Sequence, residues 1–518
     1  MGPRANSTQS GVPISTLPLR EQLRRLFPFH VALAAILALG VYIAASGGIA
    51  DPDIWWHLEN ARYLLTYHQL PRIDTYSYTA VGQPWINHEW LAEVPYYLAW
   101  QAWGLPGVNA LFVLLLEAIL LGIFFLSYKS SGNLKGSWVV TCFCVFLTIV
   151  SFGPRTILFG YIYLLILLFT LWRFRSRGQA PLWIIPLLFC VWINTHGSWL
   201  LGLIVFGLVV ASGMVGRTWQ RLEAVRWSPR QLRQLLVTGA ASLAVLLVNP
   251  YGYRLVFYPF DLAFRQKLNT AYGEEWASVN FHNAQGKVVL LVLVALLLGS
   301  VLARYQWKLE DLLLALFAAY SALSHIRFLV LAAVLLAPLL AKFLDFMPPY
   351  RPEIDKPLLN AGVVALAAVL IVKWLPSQAS LENERDKAFP TQALGFVMSH
   401  GLAGERMFNY YGWGGYLAWA QPEVKTFIDS RTDIFEYTGV LKDYLDATGL
   451  KGTLKVLDRR QVQWVLFPPR DPVSYFLAHT DNWRVVYNDS VAEVFERAGT
   501  APVTSSANKK NHRADTLK

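Results

Sequence analysis

Carboxylate and imidazole side chains gather in one early stretch. It opens Asp51-Pro52-Asp53-Ile54-Trp55-Trp56-His57, passes Asp74, and ends His88-Glu89. A carboxylate can take or orient a proton, and an imidazole with a near-neutral pKa can exchange one. Asp53 and His57 are four residues apart, so a helix opening at Asp53 carries both on one face. Farther along, Arg155 and Arg327 offer guanidinium forks, which suit the paired oxygens of a phosphate. His196, Tyr251 and His325 lie beside similar chain breaks. Each feature has a plainer reading. An aspartate before a helix is a good N-cap, an arginine at a membrane edge snorkels to headgroups, and a lone histidine there is a hydrogen-bonded interface residue. His88-Glu89 is not a zinc motif, because no histidine follows at helical spacing.

The elements that must position these residues are membrane helices. Of the 518 residues 55% are hydrophobic and 15% charged, against roughly 25% charged in an ordinary soluble protein. The mean hydropathy is +0.36. Disorder, a fibrous repeat and a purely soluble enzyme are excluded, and a lipid bilayer is the expected surrounding. Apolar runs over 29–47, 109–127, 137–152, 157–172, 181–194, 198–216, 235–248, 288–303, 310–324, 328–345 and 358–375 predict about eleven transmembrane helices. The first is read as a span rather than a signal peptide, because it is long and ten more follow. The three cysteines, Cys142, Cys144 and Cys190, sit in apolar runs and build neither a disulfide framework nor a zinc site.

The net charge of +11 does not point to nucleic acid, because the basic residues sit in short gaps between apolar runs. With residues 1–28 inside, alternate gaps carry Lys129 and Lys135, then Arg173, Arg175 and Arg177, then Arg217 to Arg233, then Arg304 and Lys308, then Lys342, Arg351 and Lys356. That alternation satisfies the positive-inside rule. It places the long first loop 48–108 outside, together with Gly153-Pro154-Arg155, Asn194-Thr195-His196-Gly197, Asn249-Pro250-Tyr251-Gly252 and Ser324-His325-Ile326-Arg327. Ionisable groups beside a bilayer are costly unless they line a cavity or face water, so five such breaks on one side predict a site there.

Residues 29–375 thus form the transmembrane part, and 376–498 an outer α/β domain. Short strands are expected at 406–411, 424–428, 464–467, 484–487 and 492–495. The earlier ones are joined by parallel crossovers and the last two by a hairpin about Asn488-Asp489. Asp429-Ser430-Arg431 follows the second strand, where ligand-binding loops collect, or else Asp429 and Arg431 form a structural pair. Residues 1–15 and the tail 499–518 are polar and expected to be disordered.

Two segments carry a resemblance. Asp53, followed by Glu59-x-Ala61-Arg62, resembles the first external loop of the GT-C superfamily of polytopic membrane glycosyltransferases. Its closest likeness is to the catalytic subunit of bacterial and archaeal oligosaccharyltransferases. Gly412-Trp413-Gly414-Gly415-Tyr416, with Val424 to Asp429 after it, resembles that family's WWDYG motif and the following strand. The resemblance implies a GT-C-like fold and an inverting transfer of a sugar from a polyprenyl-phosphate or pyrophosphate donor to a glycan, lipid or protein acceptor. The charge alternation and the odd number of spans place the N-terminus in the cytoplasm and the C-terminal domain outside, and the style of the sequence suggests a multi-pass protein of the bacterial inner membrane with that domain periplasmic. Asp53 becomes the candidate base, with Glu89 and His57 beside it. Arg327 resembles the family's phosphate-binding arginine, with Arg155 second. His88, Asp74, His196, His325, Tyr251, Asp429 and Arg431 are further candidates for binding substrate. A Mg²⁺ or Mn²⁺ ion would use Asp53 and, from the fourth outer loop, Glu275. Two departures stand out: Trp413 takes the place of the motif's aspartate, and the second outer loop, Gly153 to Thr156, has no carboxylate. They leave room for a non-catalytic glycan-assembly partner. A lipid-linked glycan flippase is the other alternative, although polar residues deep in helices, broken helices or repeats would mark it.

Overall fold

The computed structural model describes residues 18–47, 49–303 and 305–498. The expected disordered ends and Arg304 lie outside them, as does the side chain of Arg20. The chain begins with α1 (Leu19–Leu26), α2 (Phe29–Ala45), α3 (Asp53–Tyr67), α4 (Trp90–Ser131), α5 (Leu134–Thr148), α6 (Ile157–Arg177), α7 (Ile184–Thr195) and α8 (Trp199–Ser212). A hairpin of β1 (Arg217–Trp219) and β2 (Leu222–Ala224) precedes α9 (Pro229–Val245), α10 (Tyr253–Arg265), α11 (Lys267–Tyr272) and α12 (Ala284–Leu302). Then come β3 (Trp307–Lys308), which pairs with β2, α13 (Leu309–Ser324), α14 (Leu329–Phe343) and α15 (Pro357–Lys373).

Every one of the eleven apolar runs is helical, but they differ in reach. Five described segments are long and apolar enough to cross a membrane: Trp90–Ser131, Leu134–Ser151, Ile157–Arg177, Ala284–Leu302 and Ile326–Phe343. Pro357–Lys373 joined to Gln378–Ala388 across a 63° bend makes a sixth. Phe29–Ala45, Ile184–Thr195 and Trp199–Ser212 are apolar but shorter. At about 1.5 Å per residue, helices of 12 to 17 residues reach only about 18–26 Å, short of a hydrocarbon core of about 30 Å. Helix α4 is two helices in one. Gly104 takes φ 62°, a left-handed value that a side chain disfavours, and the axis breaks there. The freed N–H of Leu105 is satisfied by the Gln378 side chain at 3.0 Å.

The basic gaps meet at one end of the bundle. Arg175 pairs with Glu310 at 3.4 Å and covers the Trp227 ring. Lys342 pairs with Asp311 at 2.9 Å, and Arg24 donates to the Pro352 carbonyl. Side chains from the five breaks meet at another end: Arg155, His196 and Arg327 line one cavity with Asp53, and Tyr251 accepts the Asn87 amide. Their shared end is the one on which the C-terminal part sits.

That part contains α16 (Gln378–Ala388), α17 (Thr391–Ser399), β4 (Met407–Asn409), α18 (Gly414–Ala420), α19 (Thr432–Tyr437), α20 (Val440–Thr448), α21 (Thr453–Arg459), β5 (Trp464–Phe467), α22 (Pro472–Ala478), β6 (Trp483–Asn488) and β7 (Glu493–Arg497). The sheet order is β4-β5-β7-β6. Strands β4 and β5 are parallel across a helical crossover, and β6 and β7 form the expected hairpin, closed by Asp489 accepting from the Val491 and Ala492 amides. Residues 424–428 are not a strand of this sheet. Their backbone is satisfied elsewhere: Thr426 exchanges hydrogen bonds with Tyr76 and Tyr78 of the first loop, and the Phe427 amide donates to Asn409 Oδ1 at 2.7 Å. The first loop also supplies Trp56, Ala80 and Trp85 to a core shared with Phe408, Phe427, Phe435 and Phe467. The first loop and the C-terminal part are therefore one packed body.

Candidate functional site

A cavity of about 80 Å³ opens where the first loop and the bundle end meet, beneath the C-terminal part. Asp53 and His57 reach it from the first turns of α3, and Glu89 from the N-cap of α4. Val150 to Ile157 contribute Ser151, Arg155 and Thr156, the break after α7 contributes His196, and the later loops Glu275 and Arg327.

Asp51 builds the entry to α3. Its Oδ1 accepts the Asp53 amide at 3.0 Å, and its Oδ2 accepts from Arg155 Nε at 2.6 Å. Asp53 Oδ1 and Ser430 Oγ share the indole N–H of Trp56, at 3.3 and 3.0 Å. Asp53 is half-buried, its open side facing the cavity. Burial first, and then the neighbouring Asp51 carboxylate, push its pKa up to about 6, against the pull of His57, Ser430 and Arg155. It is thus mostly ionised at neutral pH yet close to its proton-exchange point.

Behind it lies a buried acid–imidazole cluster. His57 Nδ1 meets Glu93 Oε1 at 3.0 Å, and Asn60 and Asn87 amides hold Glu93 at 3.0 and 2.8 Å. Burial opposes the imidazolium, but the Glu93 hydrogen bond and the Glu89, Glu93 and Asp53 charges outweigh it, and the His57 pKa is raised. Glu89 Oε1 accepts from Thr156 at 2.8 Å and lies 3.2 Å from His196 Nε2. Burial would raise Glu89, but His88, His196, His57 and Thr156 together hold it at about 2. Burial pushes His196 down to about 4 despite Glu89. Its Nδ1 accepts the Ser198 amide, so the neutral ring carries its proton on Nε2, 3.2 Å from Glu89 Oε1.

The cationic wall faces Asp53. Arg155 bridges Asp51 and Glu275. Arg327 stacks on the Trp276 ring, 4.3 Å from its centroid, and makes no ion pair with any described residue. A guanidinium open to a cavity can hold an anion.

The sequence candidates divide. Asp53, His57, Glu89, Arg155, His196, Arg327 and Glu275 line the cavity together. His88 adjoins Glu89 at 3.7 Å, with its ring against Tyr258. Tyr251 accepts the Asn87 amide at 3.2 Å, bracing the loop that holds Glu93. His325 donates to the Trp276 carbonyl at 2.7 Å and so fixes the ring under Arg327. Asp74, Asp429 and Arg431 are elsewhere: Arg431 Nη2 binds both carboxylates at 2.6 Å, and all three are buried. Sequence reasoning passed over Glu93, Thr156 and Ser430. Glu93 had a signal, since it lies four residues after Glu89 on the same helix face. The other two are brought in only by tertiary contacts.

A metal ion at Asp53 and Glu275 does not fit this arrangement. Glu275 is already paired with Arg155, and among the described residues no group of three or more Asp, Glu, His or Cys side chains could hold one.

The GWGGY segment lies behind the site. Trp413 donates its indole N–H to the Ala388 carbonyl at 3.0 Å. Glycines follow because the chains nearly touch. A Cβ on Gly414 would lie 2.3 Å from the Ile428 carbonyl, and one on Gly415 2.8 Å from that of Pro52. The segment presses directly on the start of α3.

No family model and no curated protein matches the chain. Among solved structures, the apo oligosaccharyltransferase of Archaeoglobus fulgidus has a similar fold. The TM-score is 0.51, the identity 11%, and the match covers 85% of this chain and 69% of that one.

Proposed function

We propose that this membrane protein is a GT-C-type glycosyltransferase. It moves a sugar from a polyprenyl-phosphate or pyrophosphate donor to an acceptor at the outer membrane face. The observation that carries the reading is the convergence of Asp53 and Arg327 on one cavity. A fold similar to that of an oligosaccharyltransferase supports it.

In this reading the acceptor hydroxyl attacks the anomeric carbon and its proton passes to an Asp53 oxygen. The new carbon–oxygen bond forms as the bond to the phosphate oxygen breaks, and the departing electron pair leaves with the phosphate. Arg327 meets that charge. Ser430, through the indole of Trp56, and Asp51 orient Asp53, while His57 and Glu89 form the polar floor. The lipid tail lies along the helices, since a cavity of about 80 Å³ is far too small for it. An inverted product follows from a single displacement.

Purified protein offered a panel of polyprenyl-linked sugars tests the reading. Donor consumption by the wild type and its loss in Asp53→Asn are expected. No consumption of any donor by a folded wild type favours a non-catalytic assembly role. Full turnover by Asp53→Asn removes Asp53 as the base.

A further inference from the structure

The cavity holds its own cation. Arg155 stands between two carboxylates from distant parts of the chain. Its Nε is 2.6 Å from Asp51 Oδ2, and its Nη1 pairs with Glu275 Oε1. It is anchored from behind as well: its carbonyl accepts the Tyr96 hydroxyl at 3.1 Å, and its amide donates to the Gly153 carbonyl at 2.8 Å. A guanidinium has five N–H donors. Two are engaged by these carboxylates, and the side chain still lines the cavity. Asp51 Oδ2 and Glu275 Oε1 are taken by this fixed positive group, Glu275 being the carboxylate expected beside Asp53 at a metal, and Asp53 sits within its field.

We infer that Arg155 takes the place of a divalent metal, and that with Arg327 it forms a two-guanidinium clamp for a phosphate or pyrophosphate group. The inference rests on the glycosyl-transfer reading for its purpose, though not for its test. When the bond between the anomeric carbon and the phosphate oxygen breaks, the electron pair stays on that oxygen. Two guanidiniums then supply the charge stabilisation that a Lewis acid would otherwise give. Unlike a metal ion, Arg155 needs no loading and cannot be removed by chelation.

Binding of Mn²⁺ and of inorganic pyrophosphate to the full-length protein checks this without any sugar donor. The wild type should bind no stoichiometric Mn²⁺ up to millimolar concentration by electron paramagnetic resonance. It should bind pyrophosphate equally, within twofold, in EDTA and in Mg²⁺. Arg155→Gln, which frees Asp51 and Glu275, should weaken pyrophosphate binding in EDTA at least tenfold and admit Mn²⁺. Arg155→Lys should keep Mn²⁺ out while losing part of the pyrophosphate affinity. One equivalent of Mn²⁺ on the wild type, released by Glu275→Gln, would overturn the inference. So would pyrophosphate binding that appears only with Mg²⁺, or no binding in either buffer. These wild-type arms stand even where Arg155→Gln fails to fold. Failure of the enzymatic reading is a separate result, seen as an absence of donor turnover in a protein that binds pyrophosphate.

Discussion

Two clusters of guanidinium and carboxylate lie a short way apart in this molecule, and they are built to opposite ends. Around Arg431 the charges are closed. The side chain grips Asp74 and Asp429, lies over the Tyr76 and Trp85 rings, and is 3% exposed. Around Asp53 they are left open. Arg327 has an aromatic ring but no carboxylate partner among the described residues, and Asp53 keeps a face toward the cavity. A closed cluster fastens the first loop to the C-terminal part. An open one has capacity left for a ligand. Residue types alone do not separate the two. What separates them is access to the cavity: Arg155 also has two carboxylate partners, but it lines the cavity with Arg327, whereas Arg431 is closed off from it.

The contrast can be broken most severely at Asp53. Asp53→Asn should lower kcat by about 10²–10⁴, the usual contribution of a positioned acid or base, with the melting temperature nearly unchanged. The closed cluster should respond in the reverse way. Arg431→Gln strands two buried carboxylates and should cost about 3–5 kcal/mol in unfolding free energy, measured by denaturant titration of detergent-solubilised protein. Equal stability with reduced turnover would instead move Arg431 into the site. Arg327→Gln should raise KM for a phosphate-linked donor and lower kcat by roughly 10–100-fold, because one charge-assisted contact to a phosphate is lost. Arg327→Lys should recover only part of it, since an ammonium lacks the planar fork.

The pH profile sharpens the comparison. Asp53 must be ionised to accept a proton, so kcat/KM should fall as the pH drops through about 6 and level off above it. Asp51→Asn removes a charge that raises Asp53, so the acid limb should move to lower pH. For stability the sign is opposite. A folded pKa raised above the unfolded value of about 3.9 means the folded form binds the proton more tightly. This group's favourable contribution is therefore present at low pH and lost as pH rises toward about 6. The smallest effect is expected at Gly415. Its replacement by alanine puts a methyl 2.8 Å from the Pro52 carbonyl. Overpacking of this kind costs about 1–3 kcal/mol, and turnover should fall with it as the start of α3 shifts.

Much of this was legible in the chain. Apolar runs marked every bundle helix, and the alternation of basic gaps sorted the five polar breaks onto one end. The spacing of Asp53 and His57 put them on one face, and both meet the cavity. What stayed hidden was partner choice. Asp74 and Arg431 are 357 residues apart, and Arg155 and Glu275 are 120 apart, so no local pattern joins them. The stretch 424–428 has strand composition, but its hydrogen-bonding groups are taken by the first loop and by Asn409, which composition cannot show. Likewise the helix count from hydropathy exceeds the number of helices long enough to cross alone. Periodicity reports a helix's existence better than its length.

The shared aromatic core has a consequence for biosynthesis. Trp56 finds Ser430 only 374 residues later in the chain. At a ribosomal pace of about 5–20 residues per second, that is roughly 20–75 s. For most of that interval Trp56 and Trp85 have each other but not Phe408, Phe427 and Phe435, which will enclose them. The nascent loop must be kept from aggregation while the intervening helices are inserted, and truncation before residue 430 would leave it permanently uncovered.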